Sequence, residues 1–199
     1  SPGHATNTMA DTSSCSWGNF GMKDLSSEPR VALNNSTSYG YAYVTRNFFN
    51  AMYSVSTDAN LIQKAVNDPA VKAKFDNPDV VDAMSRFAQA LTMGYNALYF
   101  DKVWLSDETG PVGNGDGATP AEAMTFALAK LDAGIIAAKK ITGSIPVAYS
   151  NGSITSGAQL AQIMSGYGAR MLANLARNAT QRGATDWAKV KAYALAGPT

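Results

Sequence analysis

Cysteine and histidine are nearly missing from this chain, with one of each in 199 residues. A single cysteine, Cys15, excludes an intrachain disulfide and a thiolate metal cluster. The single histidine, His4, sits in a polar Ser/Thr/Gly-rich leader. A Ser-His-Asp or Cys-His site needs its base held beside the nucleophile in a packed interior, so the leader position predicts a solvated side chain instead. An excess of one charge is missing too: 16 Lys+Arg against 15 Asp+Glu leave +1, no long-range field to gather nucleic acid or an anionic membrane. No apolar run reaches the roughly 18 residues that a membrane-spanning helix requires. With 46% hydrophobic and 10% aromatic residues, the composition is also the opposite of a disordered chain.

What is present is helical periodicity. Residues 1–36 are rich in Ser, Thr, Asn and Gly, with Trp17, Phe20, Met22 and Leu25 as scattered anchors, and predict an irregular N-terminal segment. The opening Ser1-Pro2-Gly3, with no initiator Met and no basic-plus-apolar signal, reads as a processed product or a piece of a longer protein. From Tyr39 to Val55 apolar residues recur at three-to-four-residue steps, and a second helical stretch runs from Asp58 to Val66 before Pro69. Pro78, with Asn77 as candidate N-cap, opens a helix carrying Val80, Met84, Phe87, Leu91, Tyr95 and Leu98 towards Trp104. Ser106 to Ala118 predicts a solvated loop. Thr119-Pro120-Ala121-Glu122 is a capping box with Pro at the first helical position, opening a helix to about Ile141. Asn151-Gly152 marks a turn, Thr155 or Ser156 starts another long helix, and Thr185-Asp186 caps a shorter one.

Gly94, Ala97, Ala127, Gly134, Gly166, Gly168, Ala169 and Ala173 all fall inside these helices. Mid-helix Gly costs about 1 kcal/mol relative to Ala, so such positions predict close helix approach, with bulky side chains filling the gaps. The pairs Gly94-Tyr95 and Gly166-Tyr167 are spaced by close to two tetratricopeptide units of about 34 residues. The expected fold is all-α: antiparallel helical hairpins in a tetratricopeptide-like right-handed array over residues 37–199.

Few constellations point to chemistry. Asp107, Glu108, Asn114 and Asp116 suggest a calcium loop, but an EF-hand register puts Val112 first and Ala123 twelfth, neither able to ligate through its side chain. Asp82, Asp101, Asp132 and Asp186 are spread over separate helices at positions that look like exposed faces or caps. Gly113 to Gly117 lacks the Gly-Lys-Ser/Thr ending of a phosphate loop. No catalytic residue, metal ligand or cofactor is expected. The aromatics remain. An exposed ring can stack on a sugar face while its edge hydrogen-bonds. Tyr41 and Tyr149 break their local apolar stripes, and Trp104 lies beyond a helix end, so these three are the candidate ligand-binding residues.

Three units in order carry a family resemblance. They are Arg86-Phe87-Ala88 through Tyr99-Phe100-Asp101-Lys102-Val103; the capped helix with Leu131-Asp132-Ala133-Gly134; and Ser165-Gly166-Tyr167-Gly168-Ala169-Arg170-Met171-Leu172-Ala173-Asn174 followed by Asp186-Trp187-Ala188-Lys189-Val190. Over roughly Met22 to Thr199 this layout resembles the SusD/RagB-like outer-membrane nutrient-uptake lipoproteins. The resemblance implies a non-catalytic, surface-exposed protein. Such a protein uses tetratricopeptide-like helices to sit on a SusC-like TonB-dependent transporter and captures a glycan or other nutrient. The alternative expectation is a helical-repeat protein that associates with copies of itself or with another protein, through apolar faces left open at the ends of the array.

Overall fold

A computed structural model describes residues 21–26, 36, 38–113 and 115–198. The readings of His4, Cys15, Trp17 and Asn114 lie outside the described residues. The chain divides into two compact units, residues 1–53 and 54–199.

In the first unit, Met22–Ser26 forms a single helical turn, α1, with Leu25 buried. This turn lies within the segment expected to be irregular, of which residues 21–26 and 36 are described. Tyr39, Tyr41 and Tyr43 follow with edge-to-face rings, centroids 5.8 and 6.4 Å apart. The Tyr39 hydroxyl donates to Asp24; burial and this bond push the phenol up to about 12. Gly21 has φ +71°, and a β-carbon there would come within 2.8 Å of Tyr41 Cβ, so glycine is required by both conformation and space.

Helix α2, Tyr43–Asn67, is one 25-residue helix rather than two stretches. Asp68 caps a further turn, α3 (Pro69–Lys72), by accepting from Ala70 N at 2.9 Å. The long helices of the second unit are α4 (Pro78–Tyr99), α5 (Pro120–Ala138) and α6 (Gly157–Asn174); α7 (Ala179–Gly183) and α8 (Trp187–Leu195) are short. Cap chemistry sets most of the starts. Thr119 accepts from Glu122 N while the Glu122 carboxylate accepts from Thr119 N at 2.8 Å, a complete capping box. Ser156 and Asp186 accept from Gln159 N and Lys189 N. Asn77 precedes α4 without a side-chain cap bond.

The core lies where α4 packs on α5, and α6 packs on α5 and α8. Met93, Met124, Leu131, Leu160, Met164 and Met171 are fully buried there. The glycines are notches for these side chains. A β-carbon on Gly94 would overlap the Met171 sulfur. One on Gly134 would meet Met164 Sδ at 3.4 Å, and one on Gly168 would meet Leu131 Cδ2 at 2.9 Å and the Tyr193 ring at 3.0 Å. This is the close packing that the small residues imply.

The contact between α2 and α4 is built differently. Gln63, Ser56, Ser85, Gln89, Thr92 and Asn96 are all buried. Ser85 Oγ donates to Gln63 Oε1 at 2.7 Å, and Gln89 Nε2 donates to Asn60 Oδ1 at 2.8 Å, so the pairings run in opposite directions along the two helices. Gln63 Nε2 also donates to Asp82 Oδ1 at 2.9 Å, which Arg86 Nε shares at 2.8 Å. Asp82 is therefore a partly buried acceptor, not a solvated surface carboxylate. Meanwhile Val55, Leu61 and Ile62, on the outward side of α2, are 46%, 62% and 42% exposed.

Candidate ligand-binding site

The segment after α4 places Trp104. Phe100 is extended, and Val103 forms an isolated antiparallel bridge with Ala118, its N–H donating to Ala118 O at 3.0 Å and its carbonyl accepting from Ala118 N at 2.7 Å. Val103 is 0% exposed. In extended chain the next side chain points the opposite way, and Trp104 is 48% exposed.

The chain then turns through a two-stranded hairpin, β1 (Ser106–Asp107) and β2 (Gly110–Pro111), in place of the solvated loop that the composition predicts. It returns through Gly113, Gly115 and Gly117, with φ of +93°, +86° and +77°. These left-handed residues bring the Gly115 carbonyl back to accept from Trp104 Nε1 at 3.0 Å, while a β-carbon on Gly117 would sit 3.4 Å from the indole. The ring is therefore pinned at its edge and open to solvent over part of its surface.

What fixes the hairpin is an ion cluster. Lys130 Nζ on α5 bonds Asp107 Oδ2 at 2.9 Å and Glu108 Oε2 at 3.0 Å, all three side chains being 14–15% exposed. Gln89 Nε2 adds a bond to Glu108 at 3.0 Å, and Asn60 Nδ2 donates to Ser106 Oγ at 3.1 Å. Burial works against ionisation of Asp107. Its bonds from Thr109 and Lys130 outweigh that, and the carboxyl ends below its usual range. Glu108 behaves likewise: burial opposes its charge, but Gln89, its own backbone and Lys130 hold it low. These two carboxylates, suggestive of a calcium loop in the sequence, face an ammonium instead.

Beside Trp104 is a cleft of about 450 Å³, lined by Lys102, Leu105, Val112, Asp116 and the start of α5 at Thr119 and Glu122. Lys102 Nζ reaches Gly117 O at 3.3 Å. The lining combines a flat aromatic face with the Lys102 ammonium and the Asp116 carboxylate, while the Glu122 carboxylate is engaged in the capping box with Thr119: an arrangement suited to stacking and hydrogen bonding. The other two candidates are elsewhere. Tyr149 ends a 3-10 turn, Val147–Tyr149, and is half-buried rather than exposed. Tyr41 is 37% exposed within the first unit.

No protein-family model, curated protein or solved structure matches the chain.

A larger cleft, about 570 Å³, also reaches Thr119 and is lined by Leu172, Leu175, Ala176 and Arg177. Arg177 Nη2 donates to Ala97 O at 3.2 Å and Phe100 O at 2.9 Å, and Nη1 pairs with Asp101. This cleft is the more apolar of the two, and no tryptophan is among its described lining residues. No sequence pattern marks Arg177, because its partners lie some eighty residues earlier. The Lys130 cluster leaves one trace: Asn60, Gln63, Ser85 and Gln89 at helical spacing, a polar stripe where an apolar one is usual.

Proposed function

We propose that this chain is a non-catalytic surface binding protein of the SusD/RagB kind that its sequence resembles. In this reading a tetratricopeptide-like helical array at the cell surface holds a glycan, or another nutrient of similar chemistry, for a SusC-like TonB-dependent transporter. One observation carries the proposal: Trp104 is half exposed, yet its indole N–H is fixed on Gly115 O beside a cleft with charged groups at its rim. A rigid aromatic loses little conformational entropy on binding, and its face suits the C–H side of a pyranose.

Calorimetric titration with a panel of neutral oligosaccharides tests it. The expected result is binding that Trp104→Ala removes and Tyr149→Ala leaves nearly unchanged. No heat with any sugar, or equal affinity in Trp104→Ala, would refute it.

The self-association reading rests on a separate observation, the outward Val55, Leu61 and Ile62 of α2. Light scattering across a hundredfold concentration range decides it: a rising mass that Leu61→Asp abolishes supports association, and a constant monomer mass rejects it.

A further inference from the structure

The larger cleft has a cation fixed at its wall before any ligand arrives. Leu172, Leu175, Ala176 and Ala184 give it an apolar lining, and its volume of about 570 Å³ falls within the range of small-molecule sites. Arg177 is held from behind. Its Nη2 is spent on the carbonyls of Ala97 and Phe100 at the C-terminal end of α4, where a cation is favoured. Its backbone N–H is tied to Gln181 Oε1 at 2.7 Å. These bonds fix the guanidinium and leave the Nη1 edge to Asp101.

Asp101 is a loosely held partner. Its side chain is 92% exposed, against 35% for Arg177. An exposed pair of this kind is worth about 0.2–1 kcal/mol, so another carboxylate can replace it at little cost. Asp186, the other acid lining the cleft, has its carboxylate engaged as the cap of α8, accepting from Lys189 N at 2.9 Å.

We propose that this cleft is a binding site for a carboxylate with an apolar body, such as an aryl or branched-chain acid. The body would lie against Leu172, Leu175 and Ala176, and the carboxylate would take the place of Asp101 on Arg177. A planar guanidinium with one exchangeable edge suits a carboxylate better than a neutral group of the same shape. The site is separate from the Trp104 cleft, so it stands or falls independently of the glycan reading.

The test is calorimetric titration of the full chain with 2-naphthoate and, as its uncharged counterpart, 2-naphthamide. The acid should bind at least about tenfold more tightly than the amide, in line with a charge-assisted pair, and more weakly as salt rises. Asp101→Asn removes the internal competitor and should tighten naphthoate binding about two- to fivefold. Because Arg177 also ties α4 to the segment after α6, Arg177→Gln is read together with its melting curve, and Asp101→Asn decides the matter if that variant unfolds. Equal affinity for acid and amide, unchanged or weaker binding in Asp101→Asn, or no binding of either probe would overturn the proposal.

Discussion

Replacing Gly168 by Ala adds one methyl group at the junction of α5, α6 and α8. Its position is fixed by the backbone, 2.9 Å from Leu131 Cδ2 and 3.0 Å from two carbons of the Tyr193 ring. Neither neighbour has room to yield: Leu131 is 0% and Tyr193 7% exposed, and the Tyr193 hydroxyl is tied to Asp132. Two terms oppose each other. Alanine in mid-helix gains about 1 kcal/mol over glycine, while overpacking a full core costs about 1–3 kcal/mol. The net expectation is a loss of about 1 kcal/mol, or about 2–4 °C in Tm for a chain of this size. Gly183→Ala is the control, because no neighbouring atom lies within 4 Å of a β-carbon there; it should be neutral or stabilising. Urea unfolding measures both variants. A third variant checks the cause: Gly168→Ala should cost less in a Leu131→Ala background, where one of the two clashes is gone, giving a favourable coupling of about 1 kcal/mol. If Gly168→Ala stabilises as much as Gly183→Ala, with no coupling to position 131, Gly168 is not a packing notch.

Other perturbations address other parts of the fold. Lys130→Met removes the ammonium from two partly buried carboxylates that keep their bonds from Thr109 and Gln89, and should cost about 1–3 kcal/mol, seen as a fall in the urea midpoint. The pH dependence has a definite sign. Asp107 and Glu108 are lowered from 3.8 and 4.5, so their contribution is present above about pH 4.5 and is lost as pH falls through the lower folded values. Wild-type Tm should therefore drop on acidification below pH 4.5, and Lys130→Met should show a shallower acid limb or the opposite slope. Thr119→Ala removes the capping box and should cost about 1 kcal/mol, with a matching fall in thermal midpoint. Hydrogen exchange should find residues 54–67 of α2 opening at a lower free energy than α4 to α6. Their inner face buries Ser56 and Gln63 alongside Ala59 and Val66, and the Ser56 hydroxyl has no hydrogen-bond partner among the described residues.

Local rules make much of the helical scaffold legible. Thr119-Pro120-Ala121-Glu122 announces a helix start because a capping box satisfies its own backbone donors. Asn151 and Gly152, at φ +50° and +77°, form the turn that their dipeptide suggests. Gly94, Gly134 and Gly168 signal close approach because nothing else excuses glycine in mid-helix. Whatever depends on a distant partner stays hidden. Apolar periodicity alone leaves a gap between Val55 and Asp58, where the buried Ser56 continues the helix without an apolar side chain. Asp107 and Glu108 look like loop acids because Lys130 is more than twenty residues away in sequence. Trp104 stands out for its place beyond a helix end, but the hydrogen bond that orients its ring depends on three positive-φ glycines. Tyr149 breaks its apolar stripe and is nonetheless half-buried, because it belongs to a 3-10 turn.

The central claim is that sugar lies on the Trp104 ring. Nuclear magnetic resonance reads this residue by residue, through the indole N–H signals of the three tryptophans and saturation transfer to bound sugar. A binding oligosaccharide should shift the Trp104 signal and receive magnetisation at its C–H protons from that ring, both effects disappearing in Trp104→Ala. A binding sugar that leaves the Trp104 signal unmoved would contradict the claim.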